Sequence, residues 1–462
     1  MNKSIWQSFK SVSNCSNKNM EVDTLIIGGG ITGLSTLFEY RDAVLIEANK
    51  IGFNTTGKST AKISVMQGYN YQNMEKVIGK SKTQRYLKSQ IFARDKLVKI
   101  INDHHIDCDL KKNSSYLFTN VDYNIDKIFY ENKILNKQID TKVINKLPNN
   151  YPCIYGIESS EYVFNPIKYM LYIKKLFSNR IFENTRALSI EKKFDYYLVR
   201  TNKNKIKAHN VVICTHYPIF IKKYCFPFKL SILSAYVLSA KCNGIDSSMI
   251  SNDDELTSIR YYNDNILFSG FLSRIYNIKS HSYFMGNLVL KFKNHFNYSI
   301  VNTWYNYDIV SNDYLPIIGK LRDENIYFAT AFNKWGITNG VLAGSIISDL
   351  INGNDNEFAS LFSYYRGTNF RKIFRSFSFV FYNLLSFFNG QRIKSINDCD
   401  KHYSIVVDKN GKEHKVISKC PHMRCKVIFN DFDETWDCPC HGSRFDIDGK
   451  VIKGPSVSSL KK

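Results

Sequence analysis

The sequence predicts an α/β (α+β) body followed by a small all-β domain, and three observations carry that prediction. Residues Val22 to Lys50, VDTLIIGGGITGLSTLFEYRDAVLIEANK, read as strand, glycine cluster, amphipathic helix and second strand. A second strand-to-helix passage runs from Tyr314 to Gly353. Beyond about residue 396 the apolar runs shorten and are punctuated by Asp408-Lys409-Asn410-Gly411, Asn430-Asp431 and Asp448-Gly449, turn signals of a small β domain. At roughly 100–200 residues per domain, the 462-residue chain has room for about three folding units.

The first 21 residues are polar and lack the 7–15-residue apolar core of a secretory leader, so the expected location is cytoplasmic. No run of about 18 apolar residues follows anywhere, which argues against a membrane-spanning helix. Apolar residues are 44% and charged residues 23% of the chain, ordinary globular usage that excludes wholesale disorder. Lys+Arg of 63 against Asp+Glu of 41 leaves +22. That excess raises a nucleic-acid or membrane reading, but no helix-turn-helix pattern accompanies it, and no nucleic-acid partner is expected.

Gly28-Gly29-Gly30-Ile31-Thr32-Gly33 satisfies G-x-G-x-x-G with a strand before it and a helix after it. Gly28 permits the tight turn, Gly30 lets a pyrophosphate approach the backbone, and Gly33 lets helix and strand pack closely. The helix opening near Ile31 and Thr32 aims its amides at the phosphates. Glu47, 19 residues after Gly28, ends the second apolar run, where a carboxylate can accept hydrogen bonds from ribose hydroxyls. The glycines alone do not distinguish NAD from FAD. No second G-x-G-x-x-G appears, which weighs against a reductase with two dinucleotide domains.

Further along stand Ile51 to Lys62, IGFNTTGKSTAK, then VVICTHYP (Val211–Pro218) and FATAFNKWGITNGVLAGSIISDLI (Phe328–Ile351). With these segments in this order, residues 20–355 resemble the D-amino-acid oxidase-like (glycine oxidase-like) flavoprotein family. The resemblance implies an FAD-binding Rossmann-type domain (about 22–70, 151–220 and 301–355) interleaved with a mixed-sheet substrate domain (about 71–150 and 221–300). It implies that Gly28, Gly30, Gly33 and Glu47 hold the adenosine and pyrophosphate, and that Thr55, Thr56, Ser59 and Thr60 lie along the diphosphate and flavin. Trp335, Gly336, Ile337 and Thr338 would open a helix beneath the flavin, where a helix N-terminus stabilises the negative charge of the reduced ring. Lys62 and Lys334 are candidates for the substrate face by motif position, and Ala331 stands where the family usually has glycine.

Residues 356–395 read as a linker helix. From 366 to 395 it carries Arg366, Arg371, Lys372, Arg375, Arg392 and Lys394 and no acidic residue, with Phe370, Ile373, Phe374, Phe377, Val380, Phe381, Leu384, Phe387 and Phe388 at helical spacing. The expected arrangement is an aromatic face buried between two domains. Peripheral membrane contact is the less favoured alternative.

Cys420-Pro421-His422-Met423-Arg424-Cys425 and Cys438-Pro439-Cys440-His441 each pair cysteine with histidine. Cys₂His₂ is generically a zinc set. The C-x-H and C-x-x-H boxes, each with an extra cysteine, resemble the Rieske [2Fe–2S] family, as does WDCPCHGSRFDIDGKVIKGP (Trp436–Pro455). The resemblance implies a Rieske domain over 396–462, Cys420 and Cys438 on one iron, His422 and His441 on the other, and a disulfide joining Cys425 to Cys440. Arg424 replaces a common glycine, and a cation there raises the cluster potential within the about −150 to +300 mV of such centres.

Together the resemblances imply an FAD-dependent oxidoreductase that takes a hydride from a small, amine- or amino-acid-like substrate and relays electrons singly through a [2Fe–2S] cluster to an unidentified one-electron carrier. The alternatives are reversed flow from a ferredoxin-like donor, and a membrane- or nucleic-acid-associated redox sensor. No catalytic acid or base is assigned.

Overall fold

A computed structural model describes residues 2–7, 14, 16–220, 226, 229–244, 246–253, 256–274, 280–392 and 403–462. Cys15, Cys225, Cys399 and Lys394 lie outside the described residues.

The first apolar run forms the strand Met20–Ile27, paired in parallel with Val44–Ile46 on one side and Lys205–Ile213 on the other. Ile326–Thr330 continues the parallel array beyond Lys205–Ile213, and Ile181–Phe182 extends it beyond Val44–Ile46. Ile317–Lys320 adds an antiparallel edge, and Ala187–Lys192 with Tyr197–Thr201 completes eight strands. The central strands are unbroken apolar runs, Leu25-Ile26-Ile27 and Val211-Val212-Ile213, because they are buried on both faces. On one face the helices Ile31–Glu39 and Gly336–Asn352 lie against each other. Glycine makes this approach possible: a Cβ on Gly344 would stand 2.7 Å from the Ser35 backbone.

Between visits to this sheet the chain builds a second one of nine strands, in the order Ile300–Ser311, Leu230–Lys241, Asn265–Arg274, Thr257–Tyr262, Ser247–Ser251, Lys111–Thr119, Tyr155–Val163 and Lys62–Ile63, with Lys142–Ile144 on Tyr155–Val163. The chain therefore alternates between two sheets, as an interleaved architecture requires. Tyr155–Val163 and Ile300–Ser311 correct the sequence ranges: they fall where nucleotide-binding parts were expected, yet pair in the second sheet. Alternation along a strand records which face is buried and leaves the pairing partner unspecified.

The helix Phe370–Arg392 corrects a second expectation. Its aromatic face is not buried: Phe370, Phe374, Phe377 and Phe381 are 80, 66, 68 and 58% exposed. The opposite side faces the body through polar bonds. Lys372 pairs with Asp313 at 3.2 Å, Asn312 donates to Ser376 Oγ at 2.6 Å, and Asn383 donates to the Leu230 carbonyl at 3.1 Å. Among the described residues no helix is long and apolar enough to cross a membrane.

The C-terminal strands form a hairpin, Tyr403–Val407 with Glu413–Ile417, and a four-stranded sheet, Ile428–Asn430, Thr435–Asp437, Arg444–Phe445 and Val451–Lys453. Trp436, Phe445, Val416 and Val427 pack its core around Cys420, Cys425, Cys438 and Cys440. Arg444 bonds Asp433 at 2.7 Å and Asp437 at 3.0 Å, so that one buried guanidinium is shared by two buried carboxylates. This unit docks on the strand Ile300–Ser311: the Arg444 guanidinium lies 4.6 Å over the Tyr305 ring, the Tyr305 hydroxyl bonds Asp437, and the Tyr307 hydroxyl donates to the Gly442 carbonyl.

Candidate active site and metal centre

A cavity of about 310 Å³ opens where the two helices begin and runs between the two large sheets. Gly28, Gly30, Ile31 and Thr32 line it, together with Glu47 and the loop residues Thr55, Thr56, Ser59 and Thr60. So do Trp335, Gly336, Ile337 and Thr338. Gly33 stands behind the lining, where a Cβ would lie 1.9 Å from the Gly28 carbonyl oxygen. Gly28 has φ +115° and a Cβ there would meet the Cys214 carbonyl at 2.5 Å, so this turn admits only glycine. Two helix N-termini, at Ile31 and Gly336, thus open onto one cavity, a field suited to anionic groups.

Polar partners hold the rim. Glu47 is buried and accepts from the Gly29 amide at 2.7 Å and the Asn49 amide at 2.8 Å; burial pushes its carboxyl up, and the two amides oppose that shift. The Thr56 hydroxyl accepts from the Ile31 amide at 3.2 Å. Ala331 has φ +59°, Asn333 +51° and Lys334 +76°, so the loop before the second helix holds three non-glycine residues in the left-handed region.

Lys58, Lys62, Lys334 and Lys453 line the cavity. Lys58 is buried and held at about 8 by burial and by Arg444. Lys334 opens onto the cavity and burial lowers it to about 8. Burial also lowers Lys62 and Lys453 well below the usual amine range. Lys62 donates to the Met249 carbonyl at 3.1 Å and to Ser258 Oγ at 2.9 Å, at the end walled by Leu233, Ala235, Val237 and Ile250 of the second sheet.

Sequence reasoning missed the residues that join this cavity to the C-terminal unit. Ile452, Lys453, Gly454 and Ser456 of that unit line the cavity. Lys453 donates to Thr55 Oγ1 at 3.0 Å and lies 3.7 Å over the Tyr307 ring. His216 also lines it, 3.0 Å from Asp308 Oδ1 and stacked at 5.5 Å on Tyr307. The next residue, Tyr217, packs its ring 5.1 Å from His441 and 6.3 Å from His422. The VVICTHYP segment holds both residues, but nothing local marks what they face.

In the C-terminal unit Cys425 and Cys440 form a disulfide with Cα atoms 6.5 Å apart, the pairing the resemblance implied. That leaves Cys420 and Cys438, both buried, as thiols. They share a hydrogen bond: Cys438 and the amides of His422 and Met423 lower Cys420 to about 7, and the same bond pushes Cys438 up. The His422 and His441 rings meet edge-on, 4.9 Å between centroids. The two sulfurs adjoin one another and the two imidazoles adjoin one another on the loops that the disulfide ties together, with backbone N–H groups and the Ser443 hydroxyl directed at sulfur. Such a donor set fits a His₂Cys₂ [2Fe–2S] centre. Arg424 is exposed between His422 and Cys425 and has φ +60°, a conformation in which glycine is unstrained.

Comparison with known proteins agrees with this anatomy. The family model described as DAO, FAD dependent oxidoreductase, matches residues 23–350, and the Rieske [2Fe-2S] domain model matches residues 385–462. The chain is 28% identical over 477 residues to YhfW of Bacillus subtilis (strain 168), named as a candidate Rieske 2Fe-2S iron-sulfur protein, covering 96% of this chain and 94% of that one. Its fold is similar to glycine oxidase from Geobacillus kaustophilus (TM-score 0.61, 12% identity, 76% of this chain and all of that one). It is likewise similar to L-amino acid deaminase from Proteus myxofaciens (TM-score 0.62, 14% identity, 79% and 98%).

Proposed function

Because the chain belongs to the DAO family of FAD-dependent oxidoreductases and carries a C-terminal Rieske domain, so that it binds FAD and a [2Fe–2S] cluster, we propose that it oxidises a small amine- or amino-acid-like substrate and delivers the electrons singly to a separate carrier. The observation that carries this reading is the shared wall: His216 lines the cavity, and Tyr217, bonded to it in sequence, touches both histidines of the cysteine–histidine centre. FAD supplies two-electron acceptance from substrate and the cluster supplies one-electron transfer.

The chain's residues divide the remaining work. In this reading Gly28, Gly30, Ile31 and Thr32 would present backbone to the pyrophosphate, Glu47 would accept from ribose hydroxyls, and Trp335 to Thr338 would hold the flavin. Cys420, Cys438, His422 and His441 ligate the irons. The apolar wall of Leu233, Ala235, Val237 and Ile250 excludes water from the reacting end, where Lys62 and Ser258 are the polar groups that orient a small substrate. Burial lowers the Lys62 amine from its ordinary range, which makes it the group at this end that would take a proton from a substrate ammonium. The names of the structural neighbours, a glycine oxidase and an amino acid deaminase, support an amine substrate. A cytoplasmic location is part of the same reading.

The test is anaerobic. A panel of amino acids and N-methylated amines is mixed with the purified protein while flavin absorption and the rhombic electron paramagnetic resonance signal of the reduced cluster are followed. Flavin bleaching that precedes the cluster signal is expected. Cluster reduction by a ferredoxin-like donor with no bleaching by any amine would overturn the proposal, and zinc without iron would remove the cluster assignment.

A further inference from the structure

The helix Phe370–Arg392 carries its apolar face outward, against the rule that a soluble domain turns such a stripe to its core. At 100° per residue, Phe370, Ile373, Phe374, Phe377, Phe381 and Leu384 fall within an arc of about 100°, and over these positions the stripe is about 21 Å long. All six are exposed. The inward side is fixed by the bonds of Lys372, Ser376 and Asn383 and by the buried Phe379, so turning the helix over would break each of these contacts.

The surroundings of the stripe are basic. No Asp or Glu occurs from Phe358 to Asn397. Asn369 donates to the Val77 carbonyl at 2.8 Å and Arg371 to the Lys76 carbonyl, which brings exposed Lys76 beside the exposed Arg371 at the start of the stripe, and exposed Lys82 lies within electrostatic reach of Lys372. A second copy of the chain would set these cations against their own kind, in a protein of net charge +22. A planar, anionic, apolar-cored partner satisfies both the aromatic stripe and its cationic border. We propose that this helix lies in the headgroup region of an anionic bilayer and holds the protein at the membrane surface. The helix cannot cross the bilayer, so the attachment is peripheral and reversible.

Sedimentation of the full-length, flavin- and cluster-loaded protein with vesicles tests this. Vesicles of phosphatidylcholine with about one-third phosphatidylglycerol should bind it and pure phosphatidylcholine should bind far less, with the difference shrinking as salt is raised. The triple variant Phe374→Ser, Phe377→Ser, Phe381→Ser should lose about tenfold or more in vesicle partition. Its thermal midpoint and cofactor absorption should stay at wild-type values, because the three side chains face solvent. Absence of binding to anionic vesicles at low salt, equal binding to neutral ones, or undiminished binding by the triple variant would each overturn the proposal. So would a dimer in sedimentation velocity that the triple variant abolishes.

Discussion

Lys58 ties the cavity's charge to cofactor affinity through a measurable pH dependence. Its amine is buried, donates to the Tyr305 carbonyl at 3.4 Å, and is lowered from about 10.5 to about 8 by burial and by Arg444, with Asp433 and Asp437 opposing. Opposite charge in the cavity favours the ammonium, so FAD should restore Lys58 towards its ordinary value and take up a proton on binding at pH above 8. The sign follows: affinity is full below about pH 8 and falls as pH rises from there towards the restored value. With values of about 8 free and about 10.5 bound, the dissociation constant should rise about tenfold between pH 7 and pH 9 from this residue alone. Reconstituting the cofactor-free protein and following flavin fluorescence across that range measures it. Lys58→Met should bind more weakly at pH 7 and lack that tenfold of pH dependence, whereas Lys58→Arg, always charged, should bind well and also lack it. Parallel curves for wild type and Lys58→Met would refute the reasoning.

Three further outcomes are expected. Tyr217→Leu should leave substrate bleaching of the flavin intact but slow the appearance of the reduced-cluster signal, and Tyr217→Phe, which keeps the ring between His441 and His422, should restore it; stopped-flow absorption with freeze-quench resonance separates the steps. Asp313 is buried yet held well below the ordinary carboxylate range, because Arg366 at 2.7 Å and Lys372 at 3.2 Å outweigh the effect of burial. Asp313→Asn should cost about 3–5 kcal/mol in urea unfolding by leaving those cations unpaired. In the wild type the same contribution is present above about pH 4 and lost on acidification below it. Arg424→Gly should relieve a left-handed residue and stabilise the protein by about 0.5–1 kcal/mol, the roughly 1–2 kcal/mol of strain less the flexibility glycine adds to the unfolded chain. It should also lower the cluster potential in voltammetry, and Arg424→Gln, which keeps the strain and removes the charge, should lower the potential without the gain in stability.

What the sequence made legible and what it hid divide along a physical line. The turn at Gly28 and its packing against Gly33 are local steric demands, and the chain states them locally: a Cβ at either position would collide with backbone within one strand-turn-helix unit or its neighbour. The two cysteine–histidine boxes are legible for the same reason, since their spacing sets which donors can meet. Lys453, His216 and Tyr217 act across a docking surface between units far apart in sequence, and no spacing rule reaches that far. The helix at 370–392 shows the limit most sharply. Its period was readable, but periodicity reports that a stripe exists and not which way it points, and the expectation of burial came from the habit of soluble domains. Its direction is set by Asp313, Asn312 and the Leu230 carbonyl, polar groups of the body that take the helix's polar side. With those groups already satisfied, the aromatic stripe turns away from the described residues of the body, and an anionic bilayer is the partner that its apolar face and cationic border fit.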